Sequence, residues 1–324
     1  MNPLEQIRRP VATDLERYRQ LFCETLTHED DYMGQVLNYI RSRQGKMMRP
    51  LLVLLVAKEL GPISMESLRA AVTLELLHTA SLVHDDVVDE SGERRGQAST
   101  NAVYGSKVAV LVGDYLLSLS LLQAAKTQQI GCVEIIARLG GTLSEGEVFQ
   151  LANIRNETIS EEAYFQIIQN KTAELFAACA HLGALSAGGD TDFIEKARKF
   201  GELVGICFQI RDDIFDYYDQ IKIGKPTGSD MAEGKLTLPA IYALRTSNDP
   251  EIHELAARIK RGDASAEDIQ CMIQIAKKNG GIEYAQSKME EFREEALAQL
   301  ETFKNQEVKE ALRLYLDYVI GREI

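Results

Sequence analysis

The chain has 324 residues, 45% hydrophobic and 26% charged, the balance of a globular protein with core enough for one large domain or two ordinary ones. Its net charge of −13 is spread along the chain rather than held in a tail, which argues against nucleic acid as a partner. The N-terminal MNPLEQIRRPVATDLERY lacks the apolar centre of a secretory signal, and the apolar run Leu51 to Ala57 is too short to span a bilayer; a cytoplasmic protein is expected, one that could still touch a membrane surface.

Strand signals are almost absent, and most segments repeat their apolar residues with a period near 3.6. Helices are expected at 11–26, 32–42, 47–60, 65–90, 106–126, 130–151, 160–186, 192–219, 236–246, 250–260, 265–279, 281–302 and 305–320. Thr158 with Glu161 fits a capping box, and Ser265 with Asp268 approximates one. Ser91-Gly92 and Gly224 are the expected stops after the fourth and eighth of these helices. No linker or low-complexity stretch divides the chain, so the expectation is a single all-α domain over 1–324, its helices antiparallel around a common centre. All the cysteines but Cys23, namely Cys132, Cys179, Cys207 and Cys271, lie among apolar residues; buried free thiols of a reducing compartment are expected. The helices at 71–83 and 108–122 are apolar on more than one face, as core helices, cavity walls and subunit interfaces are.

Gly45-Lys46-Met47-Met48-Arg49-Pro50 sets Lys46 and Arg49 three apart at a helix start, the make-up of an anion site. Asp85-Asp86-Val87-Val88-Asp89 then closes a long apolar helix, and Asp212-Asp213-Ile214-Phe215-Asp216 closes another. Residues four apart stack on one helix face, so Asp85 sits under Asp89 and Asp212 under Asp216. Stacked like charges destabilise a helix. One such cluster reads as a solvated acidic helix end; two argue for cations that offset the repulsion. Carboxylates with no Cys or His beside them suit a hard ion such as Mg²⁺, usually shared with a substrate's phosphates. Basic residues follow both clusters: Arg94-Arg95 after the first, Lys225 and Lys235 around GKPTGSDMAEGK after the second, with Lys171-Thr172 inside an apolar helix between them. Carboxylates for metal and cations for phosphate, in two sets, suit two diphosphate groups.

At these residues the chain resembles the trans-isoprenyl diphosphate (polyprenyl) synthases. HDDVVDESGERRG is similar to that family's first Asp-rich motif, FQIRDDIFDYYD to its second, GKMMRP to its GKxxRP motif and GKPTGSDMAEGKLTLP to its lysine loop. The resemblance implies the isoprenoid synthase fold, with antiparallel helices around a central cavity, and a Mg²⁺-dependent head-to-tail condensation of isopentenyl diphosphate with an allylic diphosphate, releasing pyrophosphate. It implies three Mg²⁺ per site, held by Asp85, Asp89 and Asp212 with Asp216 in support. Arg94, Lys171, Thr172, Gln209, Lys225 and Lys235 would face the allylic substrate, and Asp85, Asp89, Arg94, Lys171 and Asp212 would serve catalysis. Lys46, Arg49, His78 and Arg95 would hold isopentenyl diphosphate; His78 lies nearly on the face of Asp85, two turns back. A homodimer is implied, with peripheral membrane contact for product release.

His84 reads as structural, Asp114 as a lone carboxylate with burial and exposure both open to it and no assigned role, and Glu145 and Glu147 as a solvated or supporting pair. Ala80 and Ser81 are small and lie about one turn below Asp85, so the resemblance leans to a long product of the octaprenyl or nonaprenyl kind, with Leu116, Leu117 or Leu119 as the floor. The alternatives are a short-chain farnesyl or geranylgeranyl diphosphate synthase, a terpene cyclase, or a non-catalytic partner subunit. Both full Asp clusters and the Gly45–Arg49 segment argue against the last two.

Overall fold

The computed structural model describes residues 2–43, 45–94, 96–154, 160–218 and 227–321. In chain order its helices are α1 (Pro3–Arg8), α2 (Ala12–Thr25), α3 (Asp31–Arg41), α4 (Met48–Glu59), α5 (Met65–Val88), α6 (Thr100–Tyr104), α7 (Ser106–Ala125), α8 (Ile130–Ile154), α9 (Glu161–Ile168), α10 (Glu174–Ser186), α11 (Thr191–Phe215), α12 (Ser229–Ala232), α13 (Leu238–Thr246), α14 (Pro250–Arg261), α15 (Ala266–Lys278), α16 (Gly281–Gln299) and α17 (Gln306–Ile320). The strands among the described residues are the two-residue β1 (Glu93–Arg94) and β2 (Gln97–Ala98), an antiparallel hairpin. The all-α expectation holds. Its departures are local: α1, α6, α12 and the hairpin are too short to show a period.

Other departures concern helix ends. The fourth expected helix stops at Val88, capped by Asp89, because Glu90 turns to a φ of 50° before Ser91 is reached. α9 is capped by Ser160, whose hydroxyl accepts from the Ala163 N–H, rather than by Thr158; Thr158 lies outside the described residues, as does Gly224. The capping box at Ser265 and Asp268 is present in both directions. The expected single helix 160–186 is broken by a π-helical segment at Gln169–Ala173, and 192–219 ends at Phe215.

The chain gathers into two compact units, one of Met1–Gly140, Leu175–Gly201 and Gln299–Tyr315, the other of Gly141–Glu174, Glu202–Ala298 and Leu316–Ile324. In the first, α4 is buried all round. Leu51, Leu52, Val53, Leu54, Leu55 and Val56 are each 0% exposed, and each such side chain contributes roughly 1.5–3 kcal/mol by leaving water. α10 reaches α4 at Gly183, where an added Cβ would stand 2.5 Å from the Val53 carbonyl. Tyr315 Oη donates to the Met48 carbonyl at 2.9 Å and pins α17 to the start of α4.

α5 and α7 make the most extensive helix pairing of this unit. Their seam is closed by small groups: the His84 ring lies over Gly113, and Ser120 Oγ donates to the Thr73 carbonyl at 2.9 Å. α7 is the one helix among the described residues long and apolar enough to cross a membrane, with 20 residues and a mean hydropathy of 1.7. Counting only uninterrupted apolar runs passes over it, because Gly113, Asp114, Ser118 and Ser120 break the run. Ala109, Val112, Gly113, Leu116 and Ser120 are buried, whereas Val110, Leu111, Leu121 and Leu122 are exposed.

In the second unit Gly281 lets α16 start against the Pro239 carbonyl, 2.2 Å from where a Cβ would be, and Tyr242 stacks on Tyr284 at 4.2 Å. Cys132, Cys179 and Cys207 are buried as expected, and burial pushes the last two thiols up to about 12. Cys271 is instead exposed, because it falls on the outer face of α15, whose inner face is Met272, Ile273 and Ala276.

The contact at Gly183 yields a stability prediction. Gly183→Ala forces α10 off the α4 backbone and should cost about 1–3 kcal/mol, read as a lower denaturant midpoint with an unchanged slope. A midpoint at or above that of the wild type would show that α4 and α10 separate without penalty.

Candidate functional site

Both Asp clusters stand at helix C-termini, where the macrodipole is negative and further negative charge is unfavourable. In the first unit, Asp85 is half-buried in the last turn of α5, and the Asp89 N–H donates to the Asp85 carbonyl at 2.8 Å. Asp89 itself is exposed. Asp86, one residue round the helix, turns inward and is 3% exposed. Its Oδ1 accepts from Arg94 Nε at 2.7 Å. The hairpin makes this possible by folding Arg94 back over the end of α5. Burial still holds the Asp86 carboxyl above the usual carboxylate range, against the pull of Arg94. Arg94, expected at the substrate, is thus engaged with Asp86. Arg95 lies outside the described residues.

Also in the first unit, Lys46 is exposed just before α4, its carbonyl accepting from Arg8 Nη2 at 2.7 Å. Met47 takes a φ of 55°, a conformation L-residues seldom adopt and which functional sites often hold. Arg49, in the first turn of α4, lies 5.1 Å from the Phe176 ring, and its buried Nε has no hydrogen-bond partner among the described residues. His78 is 7% exposed on α5, and Ser81 Oγ donates to its carbonyl at 2.9 Å. Ala80 is buried, on the side of α5 that carries Thr73 and His84 to α7. Asp114 is exposed rather than buried, 3.4 Å from His84 Nε2, since it projects from the outer face of α7.

In the second unit, α8 lies close against the π-helical segment because Gly146 has no side chain: a Cβ there would stand 2.9 Å from that of Asn170. Single π-turns recur at functional sites, and this one carries Lys171 and Thr172. Lys171 Nζ lies 2.5 Å from Glu147 Oε2 and donates to Gln150 Oε1 at 3.0 Å. Glu147 is therefore a partner of the lysine rather than a solvated residue. Thr172 Oγ1 donates to Gln209 Oε1 at 2.8 Å, and Gln209 Nε2 donates to Asp213 Oδ1 at 2.8 Å.

The second cluster repeats the first. Asp212 is exposed, while Asp213 is 3% exposed and accepts from the Tyr164 hydroxyl at 2.6 Å. Burial, with Asp230 nearby, raises Asp213 well above the usual carboxylate range. Burial and Asp213 likewise raise Tyr164. Asp216, just past the end of α11, accepts from the Ser229 N–H at 2.9 Å, Ser229 Oγ at 2.7 Å and the Asp230 N–H at 3.1 Å. It thereby anchors the chain that leads to Lys235, whose Nζ lies 2.5 Å from Glu233 Oε2. Lys225 lies outside the described residues.

A cavity of about 230 Å³ opens in this unit. Lys171, Thr172, Gln209 and Lys235 line it together, with Gln150, Tyr164, Asp213 and Lys260. Sequence reasoning missed Tyr164, Gln150 and Lys260. Tyr164 alone carried a signal, seven residues before Lys171 and hence on one helix face. No group of three or more His, Cys, Asp or Glu side chains among the described residues is gathered to hold an ion by itself. Taken within each unit, Asp85 with Asp89 in the first and Asp212 in the second are oxygen-only donors, the chemistry that suits a hard cation taking its remaining ligands from phosphate and water.

The sequence model of the polyprenyl synthetase family matches residues 30–276. An octaprenyl diphosphate synthase of Haemophilus influenzae is 35% identical over 311 residues, 95% of this chain and 94% of that one. The crystal structure of a geranylgeranyl pyrophosphate synthase from Bacteroides thetaiotaomicron superposes with a TM-score of 0.88 at 45% identity, covering 99% of this chain and 100% of that one. That of a polyprenyl synthase from Caulobacter crescentus, complexed with calcium and isoprenyl diphosphate, superposes with a TM-score of 0.91 at 31% identity, covering 98% of each. The chain therefore belongs to the polyprenyl synthetase family, trans-prenyltransferases with the isoprenoid synthase fold.

Proposed function

We propose that the enzyme condenses isopentenyl diphosphate head-to-tail with an allylic diphosphate, with Mg²⁺ as its metal, and builds a long all-trans product. The observation that carries this reading is that Lys171, Thr172, Gln209 and Lys235, all four expected at the allylic substrate, line one cavity together. In it, Lys171 and Lys235 hold the allylic diphosphate as point charges. Asp85, Asp89 and Asp212 would hold Mg²⁺, which supplies Lewis-acid stabilisation of the leaving charge when bound. Arg94 acts through Asp86, and Asp216 through the chain at Ser229. Lys46, Arg49 and His78 serve isopentenyl diphosphate; the unsatisfied, buried Arg49 Nε is a donor in want of an anion.

The allylic C–O bond breaks, its electrons leaving with pyrophosphate. The isopentenyl double bond attacks the resulting cation, and a proton is then lost to the pyrophosphate. Thr172 Oγ1 gives its hydrogen to Gln209, so its lone pairs remain for the cation. A dry cavity keeps water from quenching that cation.

Metal dependence is tested first. Asp85→Ala and Asp212→Ala should each lower kcat by roughly 10²–10³-fold through lost charge stabilisation, with circular dichroism unchanged, since each relieves like-charge repulsion. Near-wild-type turnover of either variant at saturating Mg²⁺ would remove that residue from the metal site, and full activity in excess chelator would remove the metal itself.

Support for a long product comes from small Ala80 and Ser81 and from the octaprenyl name of the Haemophilus relative. A short product is the second reading, favoured by the 45% identity to a geranylgeranyl pyrophosphate synthase. Chain-length analysis of the dephosphorylated alcohols decides between them. The wild type should give products beyond geranylgeraniol. Ser81→Phe, on the face of Asp85 one turn down, should shorten them. Ala80→Phe should shorten them too, at some cost in stability, because its side of α5 also meets α7. A wild type that stops at geranylgeraniol overturns the long-chain reading.

A second copy of the chain is the proposed cover for the outer face of α7. Leu111 is 66% and Leu122 48% exposed, three turns apart and on one side. Leu111→Asp with Leu122→Asp should convert a dimer to monomer in sedimentation velocity; an unaltered sedimentation coefficient would place the interface elsewhere.

A further inference from the structure

Tyr164 belongs to no motif read from the sequence, yet it is 6% exposed and its hydroxyl donates to Asp213 Oδ2. The other oxygen of Asp213 accepts from Gln209 Nε2. With its N–H₂ group held there, Gln209 turns its oxygen the other way, where it accepts from Thr172 Oγ1. All four side chains line the cavity. An amide side chain is nearly the same shape at both ends, so hydrogen bonds alone decide which end faces where. A reversed Gln209 would set its oxygen against Asp213 Oδ1, two acceptors facing each other, and its N–H₂ toward Thr172.

We propose that Tyr164 is a positioning residue for prenyl transfer: it clamps Asp213, Asp213 orients the Gln209 amide, and Gln209 and Thr172 thereby present oxygens to the cavity. This rests on the reading of the cavity as the allylic site. The bond from Tyr164 fixes Asp213 at Oδ2 and leaves Oδ1 aimed at Gln209. Oxygen lone pairs favour a developing allylic cation, whereas an N–H₂ group would oppose it. Dipoles already aimed before the bond breaks need no reorganisation during the reaction, and they act more strongly away from bulk water. Tyr164 touches neither reacting carbon; its influence passes through two side chains.

The test is a double-mutant cycle in kcat, with the KM for each substrate measured alongside. Tyr164→Phe keeps the ring and removes the clamp. It should lower kcat about tenfold and leave the KM for isopentenyl diphosphate within about twofold. Gln209→Leu should lower kcat at least as much. The double variant should be no slower than Gln209→Leu alone within about twofold, because the tyrosine has nothing left to act through. Wild-type kcat in Tyr164→Phe overturns the proposal. So do losses that multiply in the double variant, or a KM for isopentenyl diphosphate that rises as kcat falls, both signs of general loosening.

If Tyr164→Phe does not fold, Asp213→Asn serves instead. It keeps an oxygen for Tyr164 but offers Gln209 an N–H₂, which turns the glutamine round. Its kcat should fall to about that of Gln209→Leu, and wild-type kcat overturns the proposal. An inactive wild type would sink the reading of the cavity, whereas an active wild type with unaffected variants sinks only the role of Tyr164.

Discussion

Negative charge crowded against the negative end of a helix dipole is the constraint on which the rest of this protein turns, and the chain imposes it twice. The macrodipole and the i, i+4 stacking both oppose Asp85 with Asp89, and again Asp212 with Asp216. Each cluster meets the opposition in the same way. Its second aspartate points about 100° from the first and about 60° from the last, as helix geometry requires, and enters the protein. Asp86 is met there by Arg94, Asp213 by Tyr164 and Gln209. The first aspartates, Asp85 and Asp212, keep a way to solvent. A DDxxD sequence thus divides its carboxylates: the second position ties the helix end down, and the first, with Asp89 at the fifth, stays turned to solvent. Asp216 departs from that symmetry, since the N–H groups of Ser229 and Asp230 occupy it.

Much of this was legible in the sequence. The long helices followed from apolar period, and the two clusters from repetition alone. Lys171, Thr172, Gln209 and Lys235 were named from their likeness to a family, and they line one cavity. What the sequence hid was hidden for physical reasons. A π-turn has no signature in composition; it arises where α8, thinned at Gly146, lies against Asn170 and Lys171. The hairpin at Glu93–Ala98 is too short to alternate, yet it decides that Arg94 bonds Asp86 rather than standing clear. Cys271 was misjudged, and the burial of Asp114 was left open, for one cause. Apolar neighbours along the chain say little about burial when they lie on the other side of a helix.

The two units use different means to hold their charged groups. Around α4 the device is backbone strain, with Met47 left-handed between Lys46 and Arg49. A residue held there stays put only because its surroundings over-determine it, and the fully buried run Leu51–Val56 begins immediately after. Around the cavity the device is a chain of side-chain bonds from Tyr164 to Thr172, in which each group has its donor and acceptor assigned. Such a chain is stable only when complete, so the positions of these side chains are coupled to one another.

α7 shows how a helix greasy on every side still knows its orientation. Hydropathy cannot rank its faces, since Leu111 and Leu116 are the same residue turned opposite ways. Thickness can. Gly113 admits an imidazole ring, and Ser120 sits close enough to reach a backbone carbonyl, so one flank is thin where its neighbour must come close. The opposite flank carries Leu111 and Leu122 and is too wide for that seam. Steric relief, and not polarity, is the coordinate along which this helix is read, and a mutation that enlarges Gly113 would erase the distinction without changing how apolar the helix is.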